Sequence, residues 1–253
     1  MTETMLLAAD LDYALIVDQL LGGMGVLLEI FFLTLLFSMP LGILIVLGRM
    51  ARNIVIRSIF KFYISVMRGT PLMLQLIAVY FGPYYLFHIN LSSFPFDYRM
   101  VAAIIAFTLN YAAYFAEIYR GGIEAVPQGQ REAGQILGYS RPQIFFRIVL
   151  PQVVRNVLPS VTNEIITLVK DTSLAFTISI MEMFTVAKAL MSSESSLVPL
   201  VVAGVFYYVM NLIIAFVMGR IEKAMSYYDR KETKDDDRTK AKSKLFRIGK
   251  RSA

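Results

Sequence analysis

The sequence predicts an all-α, polytopic membrane protein with five transmembrane helices and a helical loop between the third and fourth. Three observations carry that expectation. Of 253 residues, 57% are hydrophobic and 17% charged, whereas soluble domains sit near about 45–50% apolar and about 25% charged. The mean hydropathy is +0.58, more apolar sequence than one water-soluble core hides. The apolar residues also fall in runs of the length a membrane helix needs, about 20, and Lys and Arg collect in alternate connections between them.

Residues 1–21 form an expected extracytoplasmic segment. They lack a basic region, and the first apolar run is long and followed by arginines, so a retained span is expected in place of a cleaved signal. The first span covers 22–47, of which 30–47 is free of charge. The second runs over 54–87 and is interrupted at Arg68-Gly69-Thr70-Pro71, where proline removes a donor and disfavours helix before it, so a kink or break is expected. The third covers 99–119. The apolar stretch 150–190 would be about 60 Å long as one helix, so it is read as one discontinuous span broken around Lys170-Asp171-Thr172-Ser173. The last covers 197–220, and 223–253 follow as a basic cytoplasmic tail expected to be disordered.

Five crossings put the termini on opposite sides. Lys and Arg number four, four and twelve in segments 48–61, 120–147 and 220–253, against zero, one and one in 1–21, 88–99 and 188–196. That asymmetry predicts the N-terminus outside and the C-terminus in the cytoplasm. The net charge is +6, and 229–253 hold ten Lys/Arg against five Asp/Glu. This tail is read as solvated near anionic lipid headgroups and not as a nucleic-acid site.

The cytoplasmic loop 120–149 carries the most information. Pro127 and Gly129 mark a turn. Residues from Gln130 to Leu137 form a short helix, with small Ala133 and Gly134 among polar neighbours, and Gly138 stops it in the left-handed conformation glycine tolerates. After Tyr139 and Arg141 a second helical piece leads into Leu150-Pro151, where proline suits a first turn. A short surface helix held between two membrane helices passes a push from a partner into the membrane domain.

Glu132-Ala133-Gly134, then Gly138, then Ile148 and Leu150-Pro151 resemble the EAA signature of ABC importer permeases. The spacing matches throughout. The departure is Gly134 where alanine is usual, a change that keeps the residue small and weakens the helix by about 1 kcal/mol. Three further stretches resemble the polar amino acid uptake branch: Arg68-Gly69-Thr70-Pro71-Leu72, Glu117-Ile118-Tyr119-Arg120-Gly121-Gly122, and Lys170-Asp171-Thr172-Ser173-Leu174. The resemblance implies a type I importer permease of the bacterial cytoplasmic membrane, working by alternating access. It implies that Glu132, Ala133, Gly134, Gly138, Tyr139 and Arg141 couple to an ATPase subunit that binds ATP and magnesium, with no cofactor on this chain. It also implies a second permease copy or homologue, an external substrate-binding protein, and an amino-acid substrate: glutamine or glutamate, cystine, or a cationic one.

Charge inside a bilayer is a functional expectation by default. The candidate pathway residues are Arg68, Thr70, Asn110, Tyr111, Asn163, Glu164, Lys170, Asp171 and Ser173. Glu164 and Asp171 lie seven apart on one helix face, and a zwitterion needs acceptors for its ammonium and donors for its carboxylate. For Lys170 and Asp171 mutual satisfaction at a span end competes with a pathway role. Arg68 could snorkel, and Asn110 could make a helix–helix hydrogen bond. Glu117 and Arg120 form an expected i,i+3 ion pair. His88 is read as interfacial beside Asn90 and Ser92, Tyr84-Tyr85 and Tyr227-Tyr228 as an aromatic belt, and Met181–Met183 as packing.

No GxxxxGK[ST] loop occurs, so the energy must come from another polypeptide. One histidine and no cysteine leave neither a hydrolytic pair nor a metal-ligand set. The remaining alternative is an oligomeric channel or secondary transporter not coupled to ATP.

Overall fold

The computed structural model describes the backbone of residues 13–88 and 97–249, with side chains as far as residue 225. Residues 1–12, Asn90, Ser92, and the side chains of Tyr227 and Tyr228 lie outside the described residues. Every described element is helical. Four helices are long and apolar enough to cross a membrane, and counting one bent pair as a span gives five.

Helix α1 (Tyr13–Arg49) begins well before the expected residue 22, because Ile16 and Leu20 are already buried against the core. At 37 residues it is about 55 Å long, so its first turns stand beyond a hydrocarbon layer about 30 Å thick. Two glycines let it approach its neighbours. A Cβ on Gly42 would lie 2.9 Å from the Phe115 Cβ, and one on Gly23 would lie 2.8 Å from the Met183 Cα. The helix it meets most extensively, α4 (Tyr98–Glu124), answers with Ala102, Ala103, Ala106, Ala112, Ala113 and Ala116, all buried. Without a hydrophobic force between helices in lipid, such small-residue seams supply close van der Waals packing.

Between them run α2 (Ile54–Gly69) and α3 (Leu72–Phe87), bent by 109° at the expected break. Asn53 starts α2 by accepting the Val55 N–H at 2.8 Å. Thr70 and Pro71 are extended, as a residue before proline and a proline prefer. His88 ends α3 in the left-handed region, its N–H bonded to the Tyr84 carbonyl at 3.0 Å.

After α5 (Gln128–Ile136), α6 (Arg141–Ile144) passes through a π turn, Phe145–Val149, into α7 (Leu150–Asp171). The π turn has a cause. Pro151 offers no N–H to the helix, and the preceding Leu150 N–H reaches back five residues to the Phe145 carbonyl.

At the break expected at 170–173 the α-helix does end, at Asp171, but the chain does not leave helical form there. Instead α7 tightens into a 3-10 helix, Thr172–Ile178. The hydroxyls of Thr172, Ser173 and Thr177 donate to the carbonyls of Val169, Lys170 and Leu174 at 2.7, 2.7 and 2.9 Å. These local bonds compete with the i−4 ladder and favour the tighter turn. The chain reverses only at Ser179, in the left-handed region, before α8 (Met183–Ser193). Helix α9 (Val198–Gly249) then runs past the expected end of the last span. The tail expected to be disordered is helical to Gly249, in keeping with its Lys and Arg content and its lack of proline.

Candidate functional site

Two constellations stand out, and one rod joins them. The first is α5. Its last turn closes with the Gly138 N–H on the Gln135 carbonyl at 2.9 Å and the Tyr139 N–H on the Gly134 carbonyl at 3.0 Å. With Gly138 at φ +78°, this is a Schellman closure, which satisfies the carbonyls a helix end leaves open. The next helix starts with the Ser140 N–H on the Gln143 side chain at 2.8 Å. The inner face of α5 is Gly134. A Cβ there would lie 2.9 Å from both Ile144 Cγ1 and Ile148 Cδ1, so the departure from alanine has a packing reason. Arg131 pins the helix to α4 through the Ile123 carbonyl at 3.2 Å.

The outer face is unpaired. Glu132 and Ala133 are exposed, and Glu132 accepts from the Gln128 amide at 2.9 Å. Ile136 is 86% and Leu137 71% exposed, two large aliphatic side chains at the closed C-terminal tip of the helix. Tyr139 lies under the Arg147 guanidinium, 5.9 Å from its ring centre, and Arg141 is exposed beside it. The expected pair of Glu117 and Arg120 forms at 2.7 Å, and Arg120 bonds Glu124 as well.

The second constellation lies along α7. Asn156, Ser160, Asn163 and Lys170 are exposed and Thr167 is half-buried. Their spacing of four, three, four and three places them on one stripe of the helix. Glu164 flanks that stripe, within electrostatic range of Arg68 on α2 and of Asp171. Arg68 rests over the Tyr114 ring at 5.2 Å. Asp171 accepts the Tyr111 hydroxyl at 2.7 Å, and that tyrosine is fully buried.

The nine expected pathway residues therefore divide. Arg68, Asn163, Glu164 and Lys170 border open space, and Asp171 is held beside them by Tyr111. Thr70 and Asn110 are tied into the α2–α3 break: Asn110 is buried and donates to the Met67 carbonyl at 3.0 Å and to Gln75 at 2.9 Å. Ser173 spends its hydroxyl on its own helix. Sequence reading overlooked Asn156, Ser160 and Thr167, although their heptad-like spacing in an apolar segment was visible. It also overlooked Gln75 in the break, and Glu182. The Glu182 carboxylate is fully buried yet accepts the Phe184 and Thr185 N–H groups at 2.8 and 2.7 Å, and the Tyr207 hydroxyl at 3.0 Å. It caps α8 and ties it to α9.

Residues 15–227 match the family described as binding-protein-dependent transport system inner membrane component. The chain is 35% identical over 209 residues to the L-cystine transport system permease protein TcyB of Bacillus subtilis, covering 82% of this chain and 86% of that one. It is 35% identical over 225 residues to the arginine transport system permease protein ArtQ of the same organism, covering 87% and 100%. It is 38% identical over 222 residues to the octopine transport system permease protein OccM of Rhizobium radiobacter, covering 81% and 85%. Among solved structures, an amino acid ABC transporter crystallised with histidines superposes with a TM-score of 0.75 at 29% identity, over 85% of this chain and 99% of that one. The MetNI methionine transporter shares the fold at a TM-score of 0.62 and 17% identity.

Proposed function

This chain belongs to the family of binding-protein-dependent transport system inner membrane components, and from that premise we propose that it is the permease of an ATP-driven amino-acid importer. The observation that carries the reading is α5: a short, doubly closed helix that offers Glu132, Ile136 and Leu137 outward while Gly134 seats it on the helix leading into α7. A channel has no use for such a knob. An ATPase subunit that binds ATP and magnesium has, because its closure must be delivered to the spans.

The delivery route is short. Ile144 and Ile148, which receive Gly134, sit in α6 and the π turn, and the same uninterrupted helical segment runs from Arg141 to Ile178. Motion of α5 therefore tilts the rod that bears the polar stripe. That stripe costs free energy against lipid, so it faces a pathway shared with a second permease copy. There Glu164 receives an amino acid's ammonium, Lys170 or Arg68 its carboxylate, and Asn163 its remaining polar atoms. Differential binding of the ATPase to two states of the spans supplies the switch. Charge asymmetry supports the N-terminus outside, facing a substrate-binding protein, and α5 in the cytoplasm.

The test is uptake of a panel of labelled amino acids into proteoliposomes holding the permease, its ATPase and its binding protein. ATP-dependent accumulation of one polar amino acid, lost in Glu132→Lys while the complex still assembles in the membrane, is the expected result. Leakage that is indifferent to ATP would return the protein to the channel class.

A further inference from the structure

We propose that Gln75 and Asn110 are positioning residues for the pathway: their side-chain amides satisfy the carbonyl that Pro71 leaves without a partner, and so fix the joint that carries Arg68. The consequence for transport rests on the importer reading above; the geometry does not.

In an unbroken helix the Met67 carbonyl would accept the N–H of residue 71. Residue 71 is proline and has none. An orphan carbonyl is tolerated poorly in a membrane domain, where little water is at hand to replace the lost donor. Thr70 closes only the preceding position, with its N–H and its hydroxyl both on the Val66 carbonyl at 3.1 and 2.8 Å. The Met67 carbonyl receives two side-chain amides instead, Gln75 Nε2 from α3 at 3.0 Å and Asn110 Nδ2 from α4 at 3.0 Å. The Gln75 amide also reaches the Thr70 carbonyl and hydroxyl at 3.2 and 2.7 Å. The second Asn110 hydrogen goes to Gln75 Oε1 at 2.9 Å.

Three helices are thus tied at one carbonyl. One turn earlier, the Tyr63 hydroxyl donates to the Leu109 carbonyl at 2.6 Å and fastens α2 to the same stretch of α4. Arg68 directly follows Met67, and the ring it rests on, Tyr114, lies one turn beyond Asn110 on α4. The amide knot therefore decides both ends of the Arg68 contact, and with it the cation offered toward Glu164 on the stripe. Thr70 and Asn110 act through the joint and do not touch the cargo.

The chain has no cysteine, so it is labelled at Phe62→Cys and Leu86→Cys alone, both exposed positions, and unlabelled partner subunits are added afterwards; the labels report the angle between α2 and α3. They are placed in the assembled importer. The wild-type joint gives a narrow distance distribution, and Gln75→Leu with Asn110→Leu broadens it. Adding Pro71→Ala to Gln75→Leu offers that carbonyl a backbone N–H only where Thr70 turns helical, so it shifts the distribution toward the longer distance of a straightened α2–α3. Uptake by Gln75→Leu falls about tenfold, the weight of one unmade buried hydrogen bond, and Pro71→Ala does not restore it, because the bend that places Arg68 is lost.

An unchanged distribution in the double leucine variant overturns the proposal, whether or not the preparation transports anything. A broadened joint with wild-type uptake overturns the positioning role. If the double leucine variant does not assemble, Gln75→Leu and Asn110→Leu are measured singly, and an unchanged distribution in both overturns the proposal. A wild type that accumulates no amino acid refutes the importer reading and leaves the distance measurement to judge the joint.

Discussion

Replacing Gly138 with alanine isolates the closure of α5 from every side-chain contact. The residue sits at φ +78°, and an added Cβ meets nothing within 4 Å, so the whole effect is backbone strain. Left-handed backbone costs an L-residue about 1–2 kcal/mol, and alanine recovers about 0.4–1 kcal/mol by restricting the unfolded chain. The net local cost is about 1 kcal/mol, roughly fivefold in the opening equilibrium of the last turn. Two bonds open with it, from the Gly138 and Tyr139 N–H groups to the Gln135 and Gly134 carbonyls. Hydrogen exchange of the assembled complex reads those amides directly. The expected result is about fivefold faster exchange at 138 and 139 with α7 unaffected, and a smaller effect for Gly138→Asn, which tolerates the conformation. ATP hydrolysed per amino acid imported rises in parallel. Unchanged exchange at those amides, or loss spreading through α7, would refute the claim that this closure holds the outward tip of α5 locally.

Further substitutions test the rest of the framework. Tyr111→Phe leaves the Asp171 carboxylate without its buried donor and should destabilise the domain by about 1.5–3 kcal/mol, seen as a lower unfolding temperature in detergent; an unchanged temperature would mean the bond is not formed. Gly23→Val drives a side chain into the Met183 backbone, which lies 2.8 Å from the Cβ position, and should abolish assembly, whereas Gly22→Ala, with nothing within 4 Å, should assemble like wild type. Equal yields of the two would contradict the α1–α8 seam. Asn163→Leu separates lipid from pathway by sign: on a pathway face uptake falls with assembly intact, while on a lipid face the substitution stabilises and uptake is kept.

The sequence announced the helices through run length and charge, and the α2–α3 break through Pro71, because each of those signals is local. The α5 closure was legible for the same reason: Gly138 is a stop whose geometry depends on five neighbouring residues. The interruption near Lys170 shows the limit of local reading: the α-helix ends at Asp171, but the chain leaves helical form only at Ser179. Charged and hydroxylated residues look like an interruption, yet here the hydroxyls of Thr172, Ser173 and Thr177 bond backward and keep the chain helical. Asn110 looked like a pore residue because a polar group in a span has two uses, and only the distance to Met67 and Gln75 separates them. Glu182 gave no signal, since its four hydrogen bonds come from two residues nearby and one on α9.

The two constellations make sense only together. A polar stripe on a membrane helix is unstable against lipid, and exposed Ile136 and Leu137 are unfavourable against water, so the isolated chain leaves two unlike surfaces unmet. They lie near opposite ends of one helical segment, Arg141–Ile178, with Gly134 bearing on its first turns. The π turn at Phe145–Val149 loosens the ladder at the end of that segment nearest α5, ahead of the donor that Pro159 removes inside α7, so a load on α5 meets it first. A partner that moves α5 thus acts on the stripe through a hinge with a chemical cause, Pro151. Straightening that hinge by Pro151→Ala should leave both surfaces intact and stiffen the link between them, so that less ATP is hydrolysed per amino acid imported; an unchanged ratio would mean that the π turn takes none of the load.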